Sequence, residues 1–243
     1  MSLRTEVGRV YRDAWRTYRA HPAALLVPGA VLFTLFGIPS ALFGEVTTDR
    51  GPGEVVAALT GQALGFLSSF LYYGYCEEVA DQARSGVVSV RAALADTRPV
   101  LLKLIAVSII VELLVGLGLV LLIVPGIILA VRWALVAPVA SFERTWPRRG
   151  MRRSAELTRG HFRLVLATAI VMFAAEQLAS AIGEALGAEI STLHFVGAVL
   201  GDAAGDLLVG PFAGLVIAFL YFGLSGRAAG PAAAVAEHEP TRA

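Results

Sequence analysis

Charge is scarce in this chain. Of 243 residues, 16% are Asp, Glu, Lys or Arg, against 56% hydrophobic ones, and the mean hydropathy is +0.70. That leaves too little polar surface to cover a globule, so the composition excludes a soluble domain and makes a bilayer the natural solvent. Cysteine occurs once, at Cys76, which excludes an internal disulfide or a cysteine-rich metal site and leaves a packed, inert thiol. Lysine also occurs once, against nineteen arginines, and with abundant alanine and glycine this points to a GC-rich bacterial genome. The sequence has no glycine-rich phosphate loop, Gly-x-Ser-x-Gly elbow or His-Glu-x-x-His motif. No cofactor, metal or catalytic residue is expected.

What is abundant is apolar sequence in long runs. Six runs are each long enough to cross a bilayer, at about 23–44, 55–75, 100–124, 127–142, 162–185 and 205–225. The first exceeds the core of a signal peptide and stays as a span. Pro28 and Pro39 should kink it, which membrane helices tolerate. Pro125-Gly126 divides the third run from the fourth, and a tight turn is expected there, because a continuous helix would overrun the bilayer. The connection 186–204 reads as acidic and partly apolar, a short re-entrant or surface helix. The tail 227–243 reads as disordered.

The runs alternate with basic amphipathic segments at 4–21, 77–98 and 144–163. In the first, Val7, Val10, Tyr11, Ala14, Trp15 and Tyr18 recur at helical spacing with arginines opposite, the pattern of a helix lying in the membrane interface. Six spans put every basic segment and both termini on one side, while the loops at 45–54 and 186–206 are acidic. The positive-inside rule makes the basic side cytoplasmic.

The three segments share a register. Arg12-x-Ala14-x-x-x-Tyr18-Arg19, Arg91-x-Ala93-x-x-x-Thr97-Arg98 and Arg152-x-Ser154-x-x-x-Thr158-Arg159 each place arginines seven apart with a small residue two after the first. Each precedes two spans. The expected architecture is an all-α membrane bundle of three parallel units, at about 4–75, 77–142 and 144–225, each an amphipathic surface helix followed by a membrane hairpin. Chance arginine-alanine matches are the alternative. Arg12, Arg19, Arg91, Arg98, Arg152 and Arg159 are the candidate contacts to anionic lipid headgroups. The position of the basic clusters between spans argues against nucleic acid.

At 119–163 the pieces Pro125-Gly126, Arg132, Pro138, Glu143, Arg153-Ser154, Thr158 and Gly160 resemble the membrane domain found in some glycerophosphoryl diester phosphodiesterases and in stand-alone bacterial membrane proteins. In the fused members hydrolysis belongs to a separate barrel domain, for which this chain has no room. The resemblance implies the membrane portion alone, without enzymatic activity.

Glu112, Arg132 and Glu176 fall inside apolar runs, where charge is costly and faces the bundle interior. At 1.5 Å per residue, Arg132 lies about 9 Å from the expected outer turn, Glu176 about 12 Å from the outer end of its span, and Glu112 about 18 Å from either end of its own. An interhelical ion pair, a polar cavity or relay, and a displaced span boundary remain open readings. His21 and His161 sit where an interfacial side chain caps or snorkels, and His194 stands alone in the outer connection. The leading expectation is a non-enzymatic protein of the bacterial cytoplasmic membrane that organises membrane, binds lipid or supports a protein partner or second copy. A transporter or channel using Glu112, Arg132 and Glu176 is the alternative, and an intramembrane enzyme ranks third.

Overall fold

The computed structural model of this chain describes residues 3–37, 52–190 and 194–226. Of the expected outer loop at 45–54, residues 45–51 lie outside them and 52–54 open a helix, and the tail 227–243 also lies outside. The fold is all-α. Helix α1 (Leu3–Ala20) is followed by α2 (Pro22–Leu32), which continues as a π-helical turn over Phe33–Gly37. Then come α3 (Pro52–Ser85), α4 (Val90–Thr97), a 3-10 turn over Arg98–Val100, α5 (Leu101–Leu121), α6 (Ile123–Trp133), α7 (Val136–Phe142), α8 (Pro147–Thr158), α9 (Phe162–Ile190) and α10 (His194–Leu224).

Among the described residues, four helical stretches are long and apolar enough to cross a membrane: Val90–Gly118, Val124–Phe142, Phe162–Gly183 and Leu207–Leu224. The pair Leu3–Ala20 and Pro22–Phe36, bent by 86°, makes a fifth if it counts as one span. The chain is therefore a multi-pass integral membrane protein. The second expected span, 55–75, lies on α3, several of whose side chains fall outside the described residues.

Burial is uneven along the helices. One core joins Val10 and Ala14 of α1, Leu25 of α2, Tyr72 to Ala80 of α3, Leu135 and Val139 near α7, Leu164 and Val165 of α9, and Ala213 to Phe222 of α10. A smaller cluster packs Val100, Leu104 and Val107 against Val136, Ala137 and Ala140. Outward of these cores the helices expose large apolar side chains: Val31 and Leu35, then Ile109, Leu113 and Leu117, then Ile170, Phe173, Leu178 and Ile182. In water such a surface would drive aggregation; in a bilayer it is the lipid-facing wall.

Four sequence expectations are corrected. The hairpin between the third and fourth runs turns at Leu122, whose backbone is extended (φ −159°, ψ 119°), and not at Pro125-Gly126. Pro125 stands in the first turn of α6, where its missing N–H costs nothing. Gly126 serves the packing of the hairpin: a Cβ added at Gly118 would lie 3.1 Å from the Gly126 Cα, so the two backbones touch there.

The fourth run is also broken, between α6 and α7 at Ala134-Leu135. Pro138 accounts for the break, since it offers no N–H to the Ala134 carbonyl and its ring crowds that group. The segment from Glu77 does not begin a surface helix either. Helix α3 runs on to Ser85, burying Glu77, Val79 and Ala80, and Val90–Thr97 alone forms the surface helix. That helix starts where the Ser89 hydroxyl accepts a hydrogen bond from the Ala92 N–H at 3.4 Å.

Finally, the connection 186–204 holds no separate helix among its described residues. Helices α9 and α10 run through it on either side of residues 191–193, which lie outside the described set. Their 29 and 31 residues make them about 44 and 47 Å long at 1.5 Å per residue, more than a bilayer core needs.

Candidate functional site

Among the described residues, several polar side chains come together where α3, α7, α8 and α10 meet. Ser154 of α8, fully buried, sits against the break in the fourth run. Its hydroxyl donates to the Arg132 carbonyl at 2.8 Å and accepts from the Leu135 N–H at 3.2 Å. Breaking a helix frees backbone groups that must find partners, and a membrane offers no water to supply them. One serine side chain supplies both. Helix α8 presents it by burying Pro147, Gly150, Ser154, Leu157 and Thr158 on one face while Arg148, Arg149, Arg152 and Arg159 stay outside. Gly160, at φ +86°, then reverses the chain into α9 in a conformation that side chains rarely adopt.

One turn further along, Glu143 closes the end of α7. Its Oε1 accepts from Arg153 Nε at 3.1 Å and from the Tyr221 hydroxyl at 3.1 Å, tying α7 to both α8 and α10. Arg153 also lies 3.9 Å from Glu156, and Arg152 lies 3.7 Å from the same carboxylate. Exposed pairs of this kind contribute little on their own, so the half-buried Glu143 contact matters more.

Beside this stands a buried acid. Glu77 of α3, two residues past the second apolar run, is 0% exposed, and its Oε2 accepts from the Ser141 hydroxyl at 2.7 Å. No partner faces its Oε1 among the described residues. Burial pushes the carboxyl up to about 8, with Ser141 pulling the other way and Glu78 adding to the rise. Glu78 is itself pushed up to about 7, first by burial, then by Asp96 and Asp81, against the pull of Arg144. Ser141 is 2% exposed, so neither it nor Glu77 is open to a substrate, and the pair works as a latch between α3 and α7.

The remaining ties are mostly hydroxyl to carbonyl. Tyr72 and Tyr75 of α3 each donate at 2.6 Å, to the carbonyls of Leu25 and Ala24 in α2. From α1, Tyr11 donates to Thr168 of α9 at 2.9 Å and Tyr18 to Leu208 of α10 at 3.1 Å. Arg84 stacks over the Phe222 ring at 4.1 Å. None of these groups forms a metal site; among the described residues no three His, Cys, Asp or Glu side chains come together.

The residues singled out from the sequence divide into two sets. Of the motif at 125–160, the structure brings Arg132, Glu143, Arg153 and Ser154 into one seam, with Pro138 and Thr158 buried beside it and Pro125 and Gly126 remote at the hairpin turn. The intramembrane trio does not assemble as a described ion-paired cluster. The Arg132 side chain is exposed, and no ion pair joins it to Glu176 among the described residues. Glu176 lies 3.5 Å from the Tyr73 hydroxyl, a long contact. The shifted turn explains this: Arg132 is ten residues from Leu122, about 15 Å at 1.5 Å per residue, and level with α8. The Glu112 side chain lies outside the described residues, as do those of Glu184, Glu189, His194, Asp202 and Asp206.

The six headgroup candidates Arg12, Arg19, Arg91, Arg98, Arg152 and Arg159 are all exposed. The small residues that share their register, Ala14, Ala93 and Ser154, are all 0% exposed. Sequence reading missed Glu77, Ser141 and Tyr221. The available signal was register: Glu77 lies on one helical face with Tyr73, Ala80 and Arg84, four of a packed stripe. The chain matches no family model, no curated protein and no solved structure.

Proposed function

We propose that this chain is a non-enzymatic protein of the bacterial cytoplasmic membrane that organises anionic lipid at the cytoplasmic face and supports a protein partner or a second copy of itself. In this reading six spans form three units, each led by one of the surface helices α1, α4 and α8, with both termini in the cytoplasm. In this reading the architecture resembles that of the membrane domain found in some glycerophosphoryl diester phosphodiesterases.

The observation that carries the reading is the common burial pattern of the three helices. Each buries its small residue completely while both flanking arginines stay outside. Exposed arginines on helices that bury their other face suit phosphate-bearing headgroups, which they can grip with two hydrogen bonds each. The 86° bend from α1 into α2 suits a surface helix entering a span.

The transport alternative finds less support. The cavity between α2, α3 and α4 has mainly apolar walls and contains neither Arg132 nor Glu176. Gentle purification with native lipid, followed by mass spectrometry of what co-purifies, separates the two. Retained anionic lipid and an inventory unchanged by Arg132→Ala are expected. A small solute retained by the native chain and lost in Arg132→Ala would contradict this reading and favour transport.

A further inference from the structure

A cavity of about 610 Å³ opens between α2, α3, α4 and α5. Leu32, Leu71, Leu94 and Leu101 form its walls, and Arg91 and Arg98 stand at its edge. The two arginines are seven residues apart, Arg91 in the first turn of α4 and Arg98 at its C-terminal end where the 3-10 turn begins, about 10 Å along the axis. Both are exposed, and neither has an ion-pair partner among the described residues. The volume falls within the range of about 300–1,000 Å³ common for small-ligand sites.

We propose that this cavity is a binding site for one anionic glycerophospholipid, with an acyl chain between the leucines and the phosphate on Arg91 and Arg98. Charge complementarity selects the headgroup. Two unpaired guanidinium groups offer a phosphate diester paired hydrogen bonds and cancel its charge, whereas a zwitterionic headgroup brings its own cation. The apolar walls select a lipid over free phosphate, since a small anion would leave them wet. Leu94 and Leu102, 47% and 80% exposed, continue the apolar surface on either side of the arginine at 98.

The three surface helices differ at the position that lines this cavity in α4. The position three residues after the first arginine is Trp15 in α1, Leu94 in α4 and Ala155 in α8. In α1 the Trp15 ring stacks on Tyr18 at 5.9 Å and stands edge-on to Phe212 at 6.1 Å. In α4 Leu94 and the neighbouring Ala95 line the cavity.

This site rests on the reading that the surface helices face cytoplasmic headgroups, so its test carries a control on that reading. The full chain in detergent is titrated with dioleoyl phosphatidylglycerol, dioleoyl phosphatidylcholine or glycerol phosphate, and bound molecules are counted by native mass spectrometry. One tightly bound phosphatidylglycerol is expected, retained at least tenfold better than phosphatidylcholine, with no glycerol phosphate. Arg91→Gln with Arg98→Gln should weaken it at least tenfold. So should Ala95→Trp, which fills the cavity at an exposed position and leaves both arginines. Arg9→Gln with Arg16→Gln, an exposed pair with the same spacing on α1, should leave the single tight lipid unchanged.

If Ala95→Trp binds like the native chain, the cavity proposal fails while headgroup attraction to α4 survives. If all three variants lose lipid alike, binding is diffuse surface electrostatics and the site is overturned, while the broader reading stands. If phosphatidylcholine binds as well as phosphatidylglycerol in every variant, both are overturned.

Discussion

Between pH 5 and 8 the unfolding midpoint of the purified chain falls, and Glu77→Gln removes a large part of that fall. Glu77 has a carboxyl raised by burial to about 8 in the folded chain, against an ordinary value of 4.5. Over that window the folded state keeps a proton that the unfolded state has released, so stability drops as pH rises and is lowest once pH passes about 8. Below pH 4.5 both states are protonated and the effect vanishes. The swing is on the order of 5 kcal/mol, from about 1.4 kcal/mol per unit of pKa. Glutamine keeps the hydrogen bond from Ser141 and carries no charge, so the variant should match the native chain near pH 4.5 and exceed it at pH 8.5. Glu78, raised to about 7, contributes a smaller fall of the same sign, complete once pH passes about 7, that remains in the variant. Parallel midpoint curves for the two proteins would contradict a buried, protonated Glu77.

Ser154→Ala should be the most damaging removal of a single oxygen in the bundle. It strands the Arg132 carbonyl and the Leu135 N–H at the helix break, and each buried group left unsatisfied costs about 1–3 kcal/mol. A fall of roughly 5–10 °C in the unfolding midpoint is expected for a loss of a few kcal/mol in a chain of this size. Ser154→Thr, which keeps the hydroxyl, should recover part of it. Because Ala93 and Ala14 occupy the equivalent buried positions, the alanine side chain itself fits the register. An Ala variant as stable as the native chain would mean that Ser154 only fills space and does not stitch the break.

The sequence made some of this legible and hid the rest for physical reasons. The faces of α1, α4 and α8 were readable because arginines seven apart mark the solvent side and the small residue between them marks the contact. The apolar runs were readable because hydropathy reports transfer into lipid directly. The break at Ala134-Leu135 was not, because Pro138 acts one turn upstream of itself and the interrupted stretch remains uniformly apolar. The turn at Leu122 was misplaced for a related reason: Pro125 and Gly126 look like a turn, yet one starts a helix and the other lets two helices touch. Glu77 was hidden because its burial comes from packing against α7, which local charge pattern does not encode. Arg132, a charge inside an apolar run, lies exposed beside α8, and it is its backbone carbonyl that Ser154 holds.

The central claim is that three surface-helix units, each crossing the membrane twice, place α1, α4 and α8 on one cytoplasmic side. Single cysteines introduced at Thr48, Arg148 and Ala234 in a Cys76→Ala background test it directly. In intact bacterial cells treated with a membrane-impermeant maleimide, the cysteine at position 48 should label, and those at 148 and 234 should label only after the membrane is opened. Labelling at 148 or 234 in intact cells would contradict the three-unit topology and remove the cytoplasmic headgroups from reach of these arginines.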